Sequence, residues 1–205
     1  MPRTTTAAAG AALLAFTATL LLGGADAAAG CGGVKHAAAV TRGADGRAPL
    51  AIGDSVLLGA VPQVAAAGFE VNTRGCRQMR EGLQVIAARK RAKTLPRLVV
   101  IVLGTNGDIR MSDIRAAMEL VGRERVLGLV TPRELGGGSG SDARVVRAAG
   151  RRYPERVRVL DWVRLSAGRS GWFAGDGIHL GRSGASGLAR LLRGALPFAT
   201  APLCP

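Results

Sequence analysis

Aromatic residues make up only 3% of this 205-residue chain, as four Phe, two Trp and one Tyr. That scarcity leaves the core to Ala, Val, Leu and Ile, and it excludes the basic surfaces interleaved with aromatics on which nucleic-acid bases stack. Histidine is scarcer still, with His36 and His179 alone. The three cysteines, Cys31, Cys76 and Cys204, show no CxxC spacing, and the histidines no HExxH, so no metal framework follows and no cofactor is expected. Acidic residues number 14 against 28 basic ones. Its longest apolar run, residues 11–22, falls short of the ~20 residues that a membrane-spanning helix needs.

What remains is a chain that is 48% hydrophobic, long enough for one globular domain with a real core. Its 30 glycines follow no collagen period. The net charge of +14 attracts polyanions, and 25 of the 28 basic residues are arginine. They are scattered through the chain, however, as solvated faces would scatter them. Only Arg89-Lys-Arg-Ala-Lys93 forms a cluster, and no specific nucleic-acid partner is expected.

Residues 1–29 read as a signal peptide: Arg3 is the positive n-region, residues 11–22 the apolar stretch, and Ala25-Asp-Ala27 or Ala27-Ala-Ala29 the cleavage site. The mature protein is therefore expected outside the cytoplasm, secreted or associated with the cell wall, with no integral membrane domain left after cleavage. As an alternative, Ala28-Ala-Gly-Cys31 resembles a lipobox, with alanine where leucine is usual, and would anchor a lipoprotein through Cys31. Oxidation is permitted there. Cys31 and Cys204 sit near the chain ends and are expected to pair, leaving Cys76 a free thiol.

Residues 30–47 are Gly/Ala-rich and read as a lead-in linker; 48–205 read as a single domain. Apolar runs at 49–53, 69–72, 98–103, 126–130 and 157–160 read as strands, the third buried on both faces. Helical stretches at 56–66, 78–93, 114–123 (capped by Ser112), 143–152 and 183–196 alternate with them. Five strands alternating with five helices predict a parallel sheet covered on both faces, an α/β class with ligands at the carboxyl ends of the strands.

Four short segments fall at that rim. Gly53-Asp-Ser55 follows the first strand, Thr73-Arg-Gly75-Cys76-Arg77 the second and Gly104-Thr-Asn106-Gly107 the third. Asp176-Gly-Ile-His179 lies beyond the fifth. Alone, each is an ordinary turn or helix start. Together they are an acyl-transfer kit. Serine needs a base to become nucleophilic, and imidazole titrates near neutrality. Asp176 can hold the tautomer of His179 and stabilise its charged form. Asn106 and backbone N–H groups at Ser55 and at Gly75 or Cys76 can face a developing oxyanion, each donor contributing roughly 3–4 kcal/mol.

These blocks, in this order, resemble those of the SGNH (GDSL-type) hydrolases over about residues 48–197. The resemblance implies a flavodoxin-like three-layer α/β/α sandwich with a five-stranded parallel sheet. It implies Ser55 as nucleophile and oxyanion donor, His179 as base, Asp176 as its orienter and Asn106 as oxyanion donor. The family's oxyanion glycine usually precedes a Gly-Leu pair by six residues; counting back from Gly82-Leu83 lands on Cys76, not Gly75, and both stay open. Gly53-Asp-Ser-Val, Arg77-Gln78, Thr131-Pro-Arg and Val159-Leu-Asp-Trp162 also look like the extracellular domain of peptidoglycan O-acetyltransferases.

The expected function is a secreted, monomeric serine esterase acting on acyl or acetyl esters, with acetylated cell-wall polysaccharide as a candidate substrate. One alternative is an O-acyltransferase to cell-wall sugars. Another, of a different class, is a non-catalytic basic module that binds the wall; the intact set of Ser55, Asp176, His179 and Asn106 argues against it.

Overall fold

A computed structural model describes Met1 and residues 33–40, 46–135 and 138–200. Apart from Met1, the stretch read as a signal peptide, with Cys31 of the lipobox-like segment and Cys204, lies outside the described residues. The strands are β1 (Val34–Ala37), β2 (Leu50–Gly53), β3 (Glu70–Arg74), β4 (Leu98–Val102), β5 (Val126–Val130) and β6 (Val157–Leu160). The helices are α1 (Ser55–Leu58), α2 (Val61–Ala66), α3 (Met79–Arg91), α4 (Met111–Val121), α5 (Ser141–Arg152), α6 (Trp162–Ser166), α7 (Arg182–Arg193) and α8 (Pro197–Thr200).

The sheet order is β1-β3-β2-β4-β5-β6. Strands β2 to β6 are parallel, as the βα alternation predicts. All five residues of β4 are buried, and they alternate between two cores. Leu98, Val100 and Val102 face the layer of α1, α2 and α7, with Leu57, Val64 and Leu188. Val99 and Ile101 face that of α3, α4 and α5, with Ile86, Ile114 and Val146. The three-layer α/β/α class holds.

Three details differ from expectation. The sheet has six strands rather than five, because Val34–Ala37, within the stretch read as linker, pairs antiparallel with β3 in the register Val34↔Arg74. An edge strand is held by backbone hydrogen bonds, and Val-Lys-His-Ala carries no apolar signal for it. The helix expected over 56–66 is split at Gly59 and Ala60, with Pro62 in the first turn of α2, where its missing N–H costs nothing. And α4 starts at Met111, one residue before the expected cap Ser112. Asp113 instead accepts from the Arg110 N–H at 2.9 Å.

Candidate active site

The first site segment is shaped by lack of room. A Cβ on Gly53 would lie 2.4 Å from Leu57 Cβ, so only glycine lets β2 turn directly into α1. Asp54 caps that helix, its Oδ1 accepting from the Val56 N–H at 2.9 Å. Ser55 is thereby the first residue of α1, 9% exposed at the strand end.

The Asp176–His179 turn organises itself. Asp176 Oδ1 accepts from the N–H groups of Ile178 (2.9 Å) and His179 (3.0 Å), while its Oδ2 meets His179 Nδ1 at 2.5 Å. The hydrogen bond from His179 is the chief cause holding the Asp176 carboxyl well below its ordinary value, at about 2. The other imidazole nitrogen, Nε2, lies 3.0 Å from Ser55 Oγ, across 124 residues of sequence. The expected serine, histidine and aspartate therefore meet in line. Arg133 supports the turn from behind: Nε donates to the Gly177 carbonyl at 3.0 Å and Nη1 to Ser166 Oγ at 2.9 Å, over the face of Phe173.

Asn106 reaches the same rim from the end of β4. Its Nδ2 lies 3.2 Å from Asp54 Oδ2, which also accepts from the Thr105 hydroxyl. Nδ2 also donates to Thr105 Oγ1 at 3.2 Å, so Asp54 and Thr105 together fix the orientation of the amide. Asp54 itself is 1% exposed, and burial raises its pKa against the opposing hydrogen bonds from Thr105, Val56 and Asn106.

The turn after β3 is pinned from two sides. Arg77, a buried guanidinium, donates to Gly53 O (3.1 Å), Asn72 O (2.7 Å) and Asn72 Oδ1 (2.9 Å), tying this turn to the strand end before Ser55. From the sheet edge, the Gly75 N–H is donated to the Gly33 carbonyl at 2.8 Å. Cys76 has a positive φ of 54°, a conformation costing an L-residue about 1–2 kcal/mol. It is also disulfide-bonded. With only three cysteines in the chain, the expected Cys31–Cys204 bridge with a free Cys76 is thereby overturned.

The sequence reading assigned no separate part to Asp54, Arg77 or Arg133, although each stands in a quoted segment. Each has at least one partner 24 to 52 residues away, beyond the reach of local pattern. Among the described residues no group of three His, Cys, Asp or Glu could hold a metal ion. Chemically, the arrangement can pass a proton from a hydroxyl to an imidazole backed by a carboxylate.

No family model matches the chain. It is 29% identical over 145 residues to the peptidoglycan O-acetyltransferase OatA of Listeria monocytogenes, covering 70% of this chain and 23% of that protein. To the O-acetyltransferase OatA of Staphylococcus aureus it is 28% identical over 149 residues, covering 70% of this chain and 24% of the relative. The chain thus spans about a quarter of the length of the curated relatives it matches. Among solved structures, the C-terminal catalytic domain of the Streptococcus pneumoniae peptidoglycan O-acetyltransferase matches with a TM-score of 0.63 and 26% identity, over 74% of this chain and 93% of that one. A lipase/acylhydrolase from Enterococcus faecalis matches with a TM-score of 0.57 at 17% identity, over 77% of this chain and 99% of that one. The chain has the fold of the SGNH hydrolases and resembles, within it, the catalytic domain of the O-acetyltransferases.

Proposed function

We propose that this chain catalyses acyl-ester chemistry through a serine acyl-enzyme, cleaving short acyl or acetyl esters carried by cell-wall carbohydrate. Ser55 is the nucleophile, His179 the base that takes its proton and later returns it, and Asp176 the group that orients and stabilises the imidazole. Asn106 Nδ2 and the backbone N–H of Ser55 are the oxyanion donors. The third is the Cys76 N–H, favoured because Gly75 has committed its own to Gly33. The observation that carries this reading is the contact of His179 with Ser55 at 3.0 Å and with Asp176 at 2.5 Å.

A small, largely apolar cavity beside Asp54 and Thr105, lined by Val56, Val130, Trp162 and Ile178, is our candidate for the place of a short acyl group. Water has access to the acyl-enzyme, since the His179 and Asp176 side chains are 41% and 38% exposed. A disulfide at Cys76 suits an exported protein. The second reading is transfer of the acyl group to a sugar hydroxyl, and the O-acetyltransferase relatives favour it.

The test is product partition from an activated acetyl ester, with and without a chito-oligosaccharide acceptor. Turnover that disappears in Ser55→Ala supports the nucleophile, and a folded Ser55→Ala protein within a few-fold of native rate overturns it. Free acetate as the main product means hydrolase; mainly acetylated sugar means transferase.

A further inference from the structure

Residues that follow the two oxyanion segments line a groove that the proposed acyl chemistry leaves unused. It has a volume of about 310 Å³ and is lined by Gln78, Arg80, Gly107, Asp108, Arg110 and Asp113. Its two walls are the residues that directly follow the two oxyanion segments. Gln78 and Arg80 continue from Cys76 into α3, and Gly107 to Asp113 continue from Asn106 into α4. A ligand in the groove therefore lies beside whatever occupies the site of acyl transfer.

Its chemistry is unlike that of the chain as a whole. The protein carries +14, yet the groove sets two guanidinium groups against two carboxylates. Such a balance gives no net pull on a phosphate or a polyanion. It suits a neutral ligand rich in hydroxyls, since guanidinium, carboxylate and primary amide each offer two coplanar donors or acceptors. Neither Arg80 nor Arg110 is held in an ion pair by a described residue, and both are exposed. Gly107, with φ +150°, keeps the wall beside Asn106 free of a side chain.

Resting on the reading of the site as one for acyl esters of carbohydrate, we propose that this groove is a glycan subsite. It holds an uncharged sugar ring next to the one that bears the ester. Gln78 and Asp108 take its hydroxyls on one side and Arg80 and Arg110 on the other.

The experiment separates binding from chemistry. Penta-N-acetylchitopentaose is titrated into the Ser55→Ala protein, followed by calorimetry and by amide chemical shifts. Saturable binding is expected, with shifts concentrated at Gln78, Gly107 and Asp108. Adding Arg80→Ala and Arg110→Ala, both at exposed positions, should weaken it at least about tenfold, a loss of about 1.4 kcal/mol. Adding Arg151→Ala, at an exposed position on the far end of α5, should leave it within twofold. Thermal melts of each variant confirm folding. No saturable binding, or affinity undiminished by the double change, overturns the subsite. Should the native chain bind the oligosaccharide here but release no acetate from an acetylated form, the acyl-ester reading fails and the subsite stands.

Discussion

Replacing Arg77 with alanine tests whether the site is a set of independent turns or one clamped unit. The guanidinium makes three hydrogen bonds, to Gly53 O, Asn72 O and Asn72 Oδ1, at 2.7 to 3.1 Å. Each is charge-assisted, contributing about 1.5–3 kcal/mol in isolation. They share one donor group, so their losses do not add. The alanine variant also strands the Gly53 and Asn72 acceptors in a site that only Arg77 fills, and a net loss of about 3–5 kcal/mol follows. For a domain of this size that is a fall in Tm of about 6–20 °C, at roughly 2–4 °C per kcal/mol. Activity should suffer separately. Gly53 O precedes Asp54 and Ser55, and Asn72 precedes the Gly75–Cys76 turn, so the clamp sets the distance between nucleophile and oxyanion donor. A displacement of about 1 Å can cost on the order of 100-fold in rate. Arg77→Lys keeps the charge but lacks the planar fork, and should recover part of the stability with little of the rate. Thermal melts and kcat on an acetyl ester read out both effects. A variant melting within about 2 °C of the native protein, with kcat unchanged, would refute the clamp.

Asp54→Asn removes one of the acceptors that hold Thr105 and Asn106, while relieving the burial of a carboxylate. We expect kcat to fall about 10–100-fold, part of the loss of an oxyanion donor, with Tm changed by only a few degrees; an unaltered kcat would show that Asn106 needs no anchor. Asp176 is held at about 2, below the ~3.9 of an unfolded aspartate. Its bond to His179 therefore contributes stability that is fully present above about pH 4 and is lost as pH falls through about 2. Melting temperature followed from pH 5 to 2 should decline less steeply in Asp176→Asn than in the native chain, and ester turnover at pH 7 in that variant should drop by about 10⁴. Finally, peptide mapping without reduction should join Cys76 to Cys31, because the Gly33 carbonyl, two residues on from Cys31, is bonded to the Gly75 N–H. A Cys76–Cys204 peptide is the contrary result. Closing a loop of that length contributes about 4 kcal/mol from chain entropy, which reduction should remove.

The parallel core was legible because its determinants are local. Leu98 to Val102 is an unbroken β-branched and aliphatic run, and such runs alternating with amphipathic stretches admit few topologies. The site was legible for a related reason: a parallel sheet gathers the residues after each strand onto one rim, so Ser55, Asn106 and His179 could be placed together without knowing a single distance. What stayed hidden depends on groups that carry no side-chain pattern. Arg77 spends its hydrogen bonds on two backbone carbonyls and an amide, and only the register of β2 beside β3 brings Gly53 within its reach. Strand β1 is the sharper case. Val34–Ala37 has no apolar alternation to announce it, being exposed along most of its length and paired with β3 through its backbone. Yet the pairing of β1 with β3, continued one step, is what directs the Gly75 N–H onto Gly33. The question the sequence left open, whether Gly75 or Cys76 serves the oxyanion, and the strand it did not reveal are therefore one physical fact. On the proposed reading, an edge strand that takes the hydrogen of Gly75 leaves the N–H of Cys76, the left-handed residue after it, as the oxyanion donor. Shortening the chain to begin after β1 would then impair catalysis by releasing that N–H, even though no side chain of β1 belongs to the site.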